Sequence, residues 1–209
     1  MSIHDPRIYL ASTSPRRREL LKQIGVHYEV LLLRTFATRA DANEIPLQGE
    51  DPAEYVQRVA REKASSGWEA VQSRHLPKHP VLAADTTVSL NGDIIGKPID
   101  RDDAAAMLKR FSGKTQQVFT AVAMAYRDRL EVLLSVTRVE FAELSDIEIK
   151  GYVMTGEPLD KAGGYAIQGR AAAFIPRIEG SYSGVMGLPL FETMQLLKKF
   201  DVEKEYSHL

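Results

Sequence analysis

The sequence of 209 residues predicts an α/β protein, because predicted strands and helices alternate along the chain. At the N-terminus, residues 8–25 pass from an apolar run through a small-residue turn into a helix. Further on, a helix that begins at Pro52 precedes an apolar strand over 81–90, and two β-rich runs follow within 117–141. A chain of this length can bury one core or two small lobes that share a cleft, and we expect a single domain over 1–209.

The composition excludes several classes of function. Lysine and arginine number 27 against 28 aspartates and glutamates, so no overall field attracts nucleic acid or an anionic membrane surface. The absence of cysteine excludes disulfides, thiolate metal sites and cysteine nucleophiles. No apolar stretch approaches the roughly 18 residues of a membrane helix. We therefore expect a cytoplasmic protein that binds neither nucleic acid nor membrane, with the choice between monomer and homodimer left open.

The first helix is predicted to begin at a cluster of positive charge. Ser14 suits the N-cap, Pro15 suits the first helical position, and Gly25 suits the helix end. Three arginines at 16–18 then oppose the positive end of the helix dipole. Free backbone N–H groups, the Ser12 hydroxyl and guanidinium groups at one helix end favour a bound phosphate. The alternative is a solvated basic helix end.

A lysine ends the apolar stripe of the second helix. Val56, Val59 and Ala60 form the stripe, and Lys63 is the next residue on the same face. The aliphatic part of Lys63 could lie along the core while the ammonium reaches solvent. Alternatively, the ammonium enters an interior cleft, and the sequence leaves both interpretations open.

Asp85 interrupts a strand that is otherwise suited to the core. The apolar run 81–84 precedes it, and residues 86–90 continue the strand to a hairpin pair, Asn91 and Gly92. An unpaired buried carboxylate is costly, so this position favours a nearby cation, a metal or a catalytic role. An aspartate that caps a local turn is the alternative.

Two segments superficially resemble a phosphate-binding P-loop, and the sequence excludes both. Lys97 in Gly96-Lys97-Pro98 is followed by proline instead of a hydroxyl residue. Ser112-Gly113-Lys114-Thr115 lacks the required earlier glycine, because Leu108 stands in its place. Gly113 instead suits the end of an amphipathic helix over 102–111.

The C-terminal half is predicted to be mostly scaffold. Runs over 117–126 and 130–141 suit a β-hairpin, and Ser145 to Glu148 forms a capping box that opens a helix. A strand is predicted over 171–178 and an amphipathic helix over 189–200.

The segment 156–169 between these elements is rich in glycine and also contains Asp160, Lys161 and Gln168. Glycine lets backbone approach a ligand closely, although an ordinary glycine-rich connection is an equal alternative.

Taken in order, the motifs of this chain resemble the Maf-type nucleoside triphosphate pyrophosphatases over nearly its whole length. The motifs that carry the resemblance are Ala-Ser-Thr-Ser-Pro-Arg-Arg at 11–17, Ala-Arg-Glu-Lys-Ala at 60–64, Ala-Asp-Thr-Thr-Val at 84–88, Gly-Lys-Pro at 96–98, Phe-Ser-Gly at 111–113, Thr-Ala-Val at 120–122, the glycine-rich segment 156–169 and Gly-Leu-Pro-Leu at 187–190.

The resemblance implies both a fold and an activity. The fold is a Maf/Ham1-like (inosine triphosphatase-like) mixed sheet with helices, with two lobes around a nucleotide-binding cleft. The activity is hydrolysis of nucleoside triphosphates to the monophosphate and pyrophosphate with a divalent cation, Mg²⁺ or Mn²⁺. Asp85 is then the catalytic carboxylate, and the residues expected to contact phosphate are Ser12, Arg17, Lys63 and Lys97.

Three further residues of the resemblance bear on the substrate. Arg16, Thr86 and Gln168 look like the dTTP/UTP-preferring branch of the family. The 7-methyl-GTP branch typically has an aromatic residue in place of Arg16 and is the first alternative. A non-catalytic nucleotide-binding regulator of septum formation is the second.

The resemblance also implies an acidic metal ligand besides Asp85. Family members usually have it six residues before the glutamate at the next helix opening. Counting back from Glu50 gives Glu44, although the segment 33–43 is longer here than is usual.

Overall fold

The computed structural model describes residues 8–33 and 42–202, which form an α/β fold around one twisted sheet. The elements, in chain order, are β1 (Ile8–Leu10), α1 (Pro15–Gln23), β2 (Tyr28–Val30), α2 (Pro52–Ser73), β3 (Val81–Leu90), β4 (Asp93–Ile95), α3 (Arg101–Phe111), β5 (Thr115–Tyr126), β6 (Arg129–Glu140), α4 (Asp146–Met154), β7 (Arg177–Glu179), α5 (Tyr182–Val185) and α6 (Leu190–Lys199). Short 3₁₀ turns at Glu157–Asp160, Ala162–Gly164 and Arg170–Phe174 connect α4 to β7.

Within the described residues the sheet has seven strands, in the order β2-β1-β3-β5-β6-β7, with β4 paired to β3. β1 runs parallel to both β2 and β3. The remaining pairs are antiparallel, and the three long strands β3, β5 and β6 form the centre. The sheet is therefore mixed, as the resemblance implied.

Helix α2 covers one face of the sheet, and α1 and α6 cover the other. Val56, Val59 and Ala60 of α2 are fully buried in the first core. At Gly67, an added Cβ would lie 2.6 Å from a Val81 side-chain carbon, so glycine allows the helix to approach the strand closely. Leu21 and Leu197 belong to the second core on the opposite face.

A third core lies at the other end of the long strands, where α3, α4 and the 3₁₀ turns pack. Its centre is an aromatic group in which Tyr165 packs edge-on against Phe111 and Phe141, with ring centroids 6.4 and 5.1 Å away. The chain thus has two lobes that share the long strands, as expected from the resemblance.

Most predicted elements are present with small changes at their ends. Gly25 and Gly113 have positive φ after α1 and α3, as helix-ending glycines do. Asn91 and Gly92 both have positive φ in the β3–β4 hairpin, and the capping box at Ser145 is formed.

The predicted strand over 171–178 is wrong for most of its length. Arg170–Phe174 forms a 3₁₀ turn, and only Arg177–Glu179 pairs with β6. Three consecutive alanines at 171–173 offer little side chain for a strand to pack, and Pro176 cannot donate a ladder hydrogen bond. The second predicted strand, over 28–33, is also shorter, since β2 ends at Val30.

Among the described residues, no helix combines the length and apolar character needed to cross a membrane. The predicted irregular segment 34–50 is described only from residue 42 onward, where it contains no regular helix or strand.

Candidate active site

A cavity of about 1180 Å³ lies between the β1–α1 turn, the segment around Glu44, the middle of β3 and the loop before β7. We call it the cleft. It brings together every residue that the sequence predicts for the site. These residues are Ser12, Arg16, Arg17, Glu44, Lys63, Asp85, Thr86, Lys97 and Gln168.

The turn between β1 and α1 forms one wall of the cleft. Ser14 occupies the N-cap of α1 with extended backbone, and Pro15 is the first helical residue, as predicted. The Ser14 side chain makes no capping hydrogen bond; instead, the Ser14 N–H donates to Ser12 Oγ over 3.2 Å. This bond orients the Ser12 hydroxyl in the turn.

Arg17 is fixed in the cleft wall by three acceptors. Its Nε donates to the Gly187 carbonyl over 2.7 Å, and its two terminal nitrogens donate to Ser12 Oγ over 3.3 Å and to Thr86 Oγ1 over 3.4 Å. Burial lowers the pKa of Arg17, while the charge of Asp85 raises it. The guanidinium is thus a positioned cation whose orientation does not depend on a ligand.

The three arginines of α1 have different surroundings. Arg16 and Arg17 line the cleft. Arg18 does not, and its Nε is buried without a hydrogen-bond partner in the part of the chain that the structure describes. The predicted cluster of positive charge is therefore built from the first two arginines.

Lys63 reaches into the cleft. Its side chain is only 13% exposed, and Nζ lies 2.9 Å from Asp85 Oδ1 and 2.8 Å from Glu44 Oε1. The interpretation in which Lys63 lies along the core with its ammonium in solvent is wrong. The lysine at the end of the apolar stripe instead places its charge between two carboxylates.

Asp85 lies in the centre of the sheet, where it pairs with Ala121 of β5. Burial raises its pKa, while the charge of Lys63, the hydrogen bond from Lys63 and the charge of Arg17 lower it. Its second oxygen, Oδ2, is buried without a hydrogen-bond partner among the described residues. A buried carboxylate oxygen without a partner is unfavourable, and this favours an additional ligand or substrate group at that oxygen.

Glu44 is held by helix α2 although its own segment is irregular. The Tyr55 hydroxyl donates to the Glu44 carbonyl over 2.9 Å, and Arg58 donates to the carbonyls of Asn43 and Ile45 over 2.8 and 3.2 Å. The unusual length of the preceding segment therefore does not displace Glu44 from the cleft. Burial alone would raise the pKa of Glu44, but the charge and hydrogen bond of Lys63 and the charge of Lys97 lower it.

Arg58 is itself held by Glu50. Its Nε lies 2.6 Å from Glu50 Oε1, and this hydrogen bond holds the pKa of Glu50 at about 2, against a smaller effect of burial in the opposite direction. We call Glu50 and Arg58 the Arg58 clamp.

Thr86 acts on the site through Arg17. Its Oγ1 accepts from Arg17 and lies 3.1 Å from Thr120 Oγ1, whose hydroxyl donates to the Gly184 carbonyl over 2.8 Å. Sequence reasoning did not identify Gly187 or Thr120 as supports of Arg17. Gly187 belongs to a motif that carries the family resemblance, but the sequence does not predict its contact with a residue 170 positions away.

Asp160 and Lys161 line the cleft beside Gln168. Lys161 Nζ donates to the Glu157 carbonyl over 2.7 Å and to an Asp160 carboxylate oxygen. In the sequence, these two residues are distinguished only by their place in a glycine-rich segment. We call Arg16, Asp160 and Lys161 the Asp160 cluster, and Arg17, Glu44, Lys63 and Asp85 the Asp85 cluster.

The described residues do not group three or more histidines, cysteines, aspartates or glutamates as a metal site. Asp85 and Glu44 are nevertheless carboxylates that meet at one cation, and the unpartnered Asp85 Oδ2 adds a buried acceptor. Two carboxylates are the protein share of many Mg²⁺ sites in which phosphates and water complete the shell. The residues present therefore fit a divalent cation that arrives with a phosphate ligand.

The chemistry that this cleft offers is recognition of a polyanion next to a buried carboxylate. Arg17, Lys63 and Lys97 supply positive charge, and the β1–α1 turn supplies a helix N-terminus. Fixed cations around a buried acceptor can stabilise the negative charge that develops on a phosphoryl group during its transfer.

Comparison with known proteins identifies the family of this chain. A model of the family described as Maf-like protein matches residues 7–200. A dTTP/UTP pyrophosphatase of Dechloromonas aromatica is 55% identical over 92% of this chain and 96% of the relative. Proteins of the same name from Aromatoleum aromaticum and Chromobacterium violaceum are 56% and 53% identical, over 93% and 97% of this chain and 95% and 99% of the relatives. The chain therefore belongs to the Maf family.

Proposed function

We propose that this protein is a nucleoside triphosphate pyrophosphatase that hydrolyses dTTP and UTP to the monophosphate and pyrophosphate. The observation that carries the proposal is the Asp85 cluster, in which a buried carboxylate and two positioned cations line one cleft. The names of the relatives, which cover nearly the whole chain, support the same activity and the same two substrates.

The first requirement of the reaction is a positioned polyphosphate. Gly187, Ser12 and Thr86 hold Arg17 before substrate arrives. The other N–H groups of its guanidinium can therefore bind a phosphate without a further loss of side-chain entropy. Lys63 and Lys97 are the other cations for phosphate oxygens, and the Ser12 hydroxyl is a further donor. These groups stabilise the negative charge that increases on the pyrophosphate as it leaves.

The second requirement is an oriented water molecule. Water attacks the α-phosphorus, a new P–O bond forms, and the bond to the bridging oxygen breaks as pyrophosphate leaves. Asp85 Oδ2 is the acceptor for a proton of that water, because Oδ1 is already bonded to Lys63. The raised pKa that burial gives Asp85 makes its carboxylate a stronger base.

Asp85 and Glu44 are the residues that would hold Mg²⁺ or Mn²⁺, Glu44 through its oxygen that is not bonded to Lys63 and Asp85 through a second lone pair of Oδ2, the oxygen that also accepts the proton. When bound, such a cation neutralises phosphate charge and lowers the pKa of coordinated water. The chain's own residues would orient the phosphates and provide the buried proton acceptor.

Arg16, Thr86 and Gln168 are proposed to determine the choice of base. Arg16 and Gln168 line the cleft with side chains able to meet the base, and an amide can both donate and accept. Thr86 is proposed to contribute by holding Arg17, to which its hydroxyl is bonded. The role that follows is removal of normal or modified pyrimidine triphosphates from the cytoplasmic nucleotide pool.

Pyrophosphate release from a panel of triphosphates, with Mg²⁺ and with Mn²⁺, tests the proposal. The panel contains dTTP, UTP, CTP, ATP, GTP and 7-methyl-GTP, with Asp85→Asn as the inactive control. We expect dTTP and UTP to have the highest kcat/KM, by a factor of about 10² over CTP. A preference for 7-methyl-GTP would reject the pyrimidine assignment, and nucleotide binding without pyrophosphate release would indicate a regulator instead of an enzyme.

A further inference from the structure

The Asp160 cluster places a second set of charges in the cleft, apart from those that surround Asp85. Lys161 is only 14% exposed at its side chain, because it is bonded to both Glu157 and Asp160. The Asp160 side chain is 73% exposed and lines the cleft. The structure thus has a fixed ammonium next to an accessible carboxylate.

The charges around Asp160 differ from those that act on the Asp85 cluster. Desolvation would raise the pKa of Asp160, but the hydrogen bond and charge of Lys161 and the charge of Arg16 lower it. Glu44 and Asp85 respond instead to Lys63 and Arg17. Asp160 is therefore ionised at neutral pH, and the cations that act on it differ from those that act on Asp85.

Apart from the cation-holding role proposed for Glu44 and Asp85, a carboxylate in the cleft has no favourable contact with a triphosphate. Like charges repel, and the cleft already contains the carboxylates of Glu44 and Asp85. Asp160 therefore fits a part of the substrate that offers hydrogen-bond donors instead of negative charge. In a nucleotide such donors lie on the base and the sugar.

Asp160 and Lys161 can match the hydrogen-bond donors and acceptors on the Watson–Crick edge of uracil and thymine. The N3–H donor of these bases lies between two carbonyl acceptors, O4 and O2. An ionised carboxylate only accepts hydrogen bonds and an ammonium only donates them. Cytosine has an acceptor at N3 and a donor at N4, so the same pair meets it with two groups of the wrong kind.

We propose that Asp160 recognises the base, with its carboxylate accepting the N3–H of uracil or thymine while the Lys161 ammonium donates to the O4 carbonyl oxygen of the same ring. This inference rests on the proposed function, since it concerns the base of the proposed substrates. It makes Asp160 and Lys161 specificity-determining residues, in addition to Arg16 and Gln168.

Asp160→Asn tests this assignment, because an amide can donate to the N3 of cytosine where a carboxylate cannot. The quantity measured is the ratio of kcat/KM for UTP to that for CTP. We expect this ratio to fall at least about tenfold, because a bound base would cover the Asp160 carboxylate and a mismatched hydrogen-bonding pair then discriminates by at least this much. Asp128→Asn is the matched control, since Asp128 is an exposed aspartate in the β5–β6 turn and its ratio should not change.

A substrate analogue isolates the single hydrogen bond. UTP methylated at N3 has no N3–H, so wild-type protein should hydrolyse it at least about tenfold less efficiently than UTP. In Asp160→Asn this penalty should shrink, because an amide oxygen is a weaker acceptor than a carboxylate and the amide can also turn its NH2 group toward the ring. An ion pair with only a structural role would lower the activity toward all nucleotides alike and leave both ratios unchanged, and that result would overturn the proposal.

Binding of the monophosphates distinguishes failure of this inference from failure of the proposed function. Titration of wild type and Asp160→Asn with UMP and with CMP gives the base preference without any hydrolysis. If wild type releases no pyrophosphate, the proposed function is wrong, and a UMP preference that falls in Asp160→Asn still supports the role of Asp160. If wild type hydrolyses UTP but neither the UMP preference nor the UTP preference changes in the variant, only the role of Asp160 is wrong.

Discussion

The two charged clusters of the cleft differ in how firmly the protein holds them. In the Asp85 cluster, Asp85 lies on the central strand of the sheet, and Lys63 comes from a long helix packed against that sheet. In the Asp160 cluster, Asp160 ends one short 3₁₀ turn and Lys161 connects it to the next, and the Asp160 carboxylate is largely exposed.

This difference corresponds to two tasks. Bond breaking requires groups fixed to within fractions of an ångström, and only packed elements provide that precision. Recognition of a base requires the correct donors and acceptors and tolerates a more exposed setting. We therefore expect substitutions in the Asp85 cluster to lower kcat, and substitutions in the Asp160 cluster to change the order of substrates.

The largest effect is expected for Asp85→Asn. The amide preserves the size of the side chain but removes the charge and the proton acceptor, so kcat should fall by about 10² or more. Circular dichroism and the melting temperature should be close to those of wild type, since the amide oxygen can still accept from Lys63. A folded Asp85→Asn protein with near-normal kcat would contradict the role of the Asp85 cluster in the reaction.

Lys63 and Lys97 of the cleft allow a second test. Lys63→Ala removes a buried cation between Glu44 and Asp85, and we expect kcat/KM to fall by about 10². Lys97→Ala removes an exposed cation, and we expect a decrease of about tenfold. Steady-state kinetics with dTTP checks both values. If Lys63→Ala lowers the melting temperature and leaves kcat/KM unchanged, Lys63 is a structural residue.

The paired arginines of α1 sharpen the comparison between the clusters. Arg17→Lys loses the fork that bonds Gly187, Ser12 and Thr86, so we expect kcat to fall by about tenfold for every substrate. Arg16→Lys should leave kcat for dTTP within about twofold and mainly change the preference among bases. Kinetics of both variants with dTTP and CTP measure the difference, and equal effects on the two substrates in Arg16→Lys would argue against a role in base choice.

The smallest effect concerns pH and the Arg58 clamp. The pKa of Glu50 is about 2 in the folded protein and near its ordinary value, about 4.5, when unfolded. A lowered folded pKa stabilises the protein above the unfolded pKa, and the contribution is lost as pH falls from about 4.5 toward 2.

We therefore expect Glu50→Gln to lower the melting temperature by about 2–4 °C at pH 7, the shift that ~1 kcal/mol produces in a domain of this size. The difference from wild type should shrink as the pH is lowered through 4 toward 3. Thermal melts of both proteins from pH 7 to pH 3 provide the measurement, and Glu69→Gln, at an exposed site on α2, the helix that carries Arg58, is the control. A difference that is constant over this range would exclude the ion pair as its cause.

The sequence by itself determined much of the fold because its local signals are strong. The Ser14-Pro15 start of α1, the Asn91-Gly92 hairpin and the capping box at Ser145 each depend on backbone preferences of a few residues. The order of the motifs, confirmed by the family match, also indicated the family and the residues of the cleft. The single domain over 1–209 stays a prediction, and the choice between monomer and homodimer stays open.

Only the tertiary structure decided where long side chains point and what supports them. The stripe on α2 predicted the face on which Lys63 lies, but its direction depends on Asp85 and Glu44, which come from other elements. Arg17 likewise depends on Gly187, a residue 170 positions away in the chain. Such contacts depend on packing between distant segments, and no short-range pattern in the sequence predicts them.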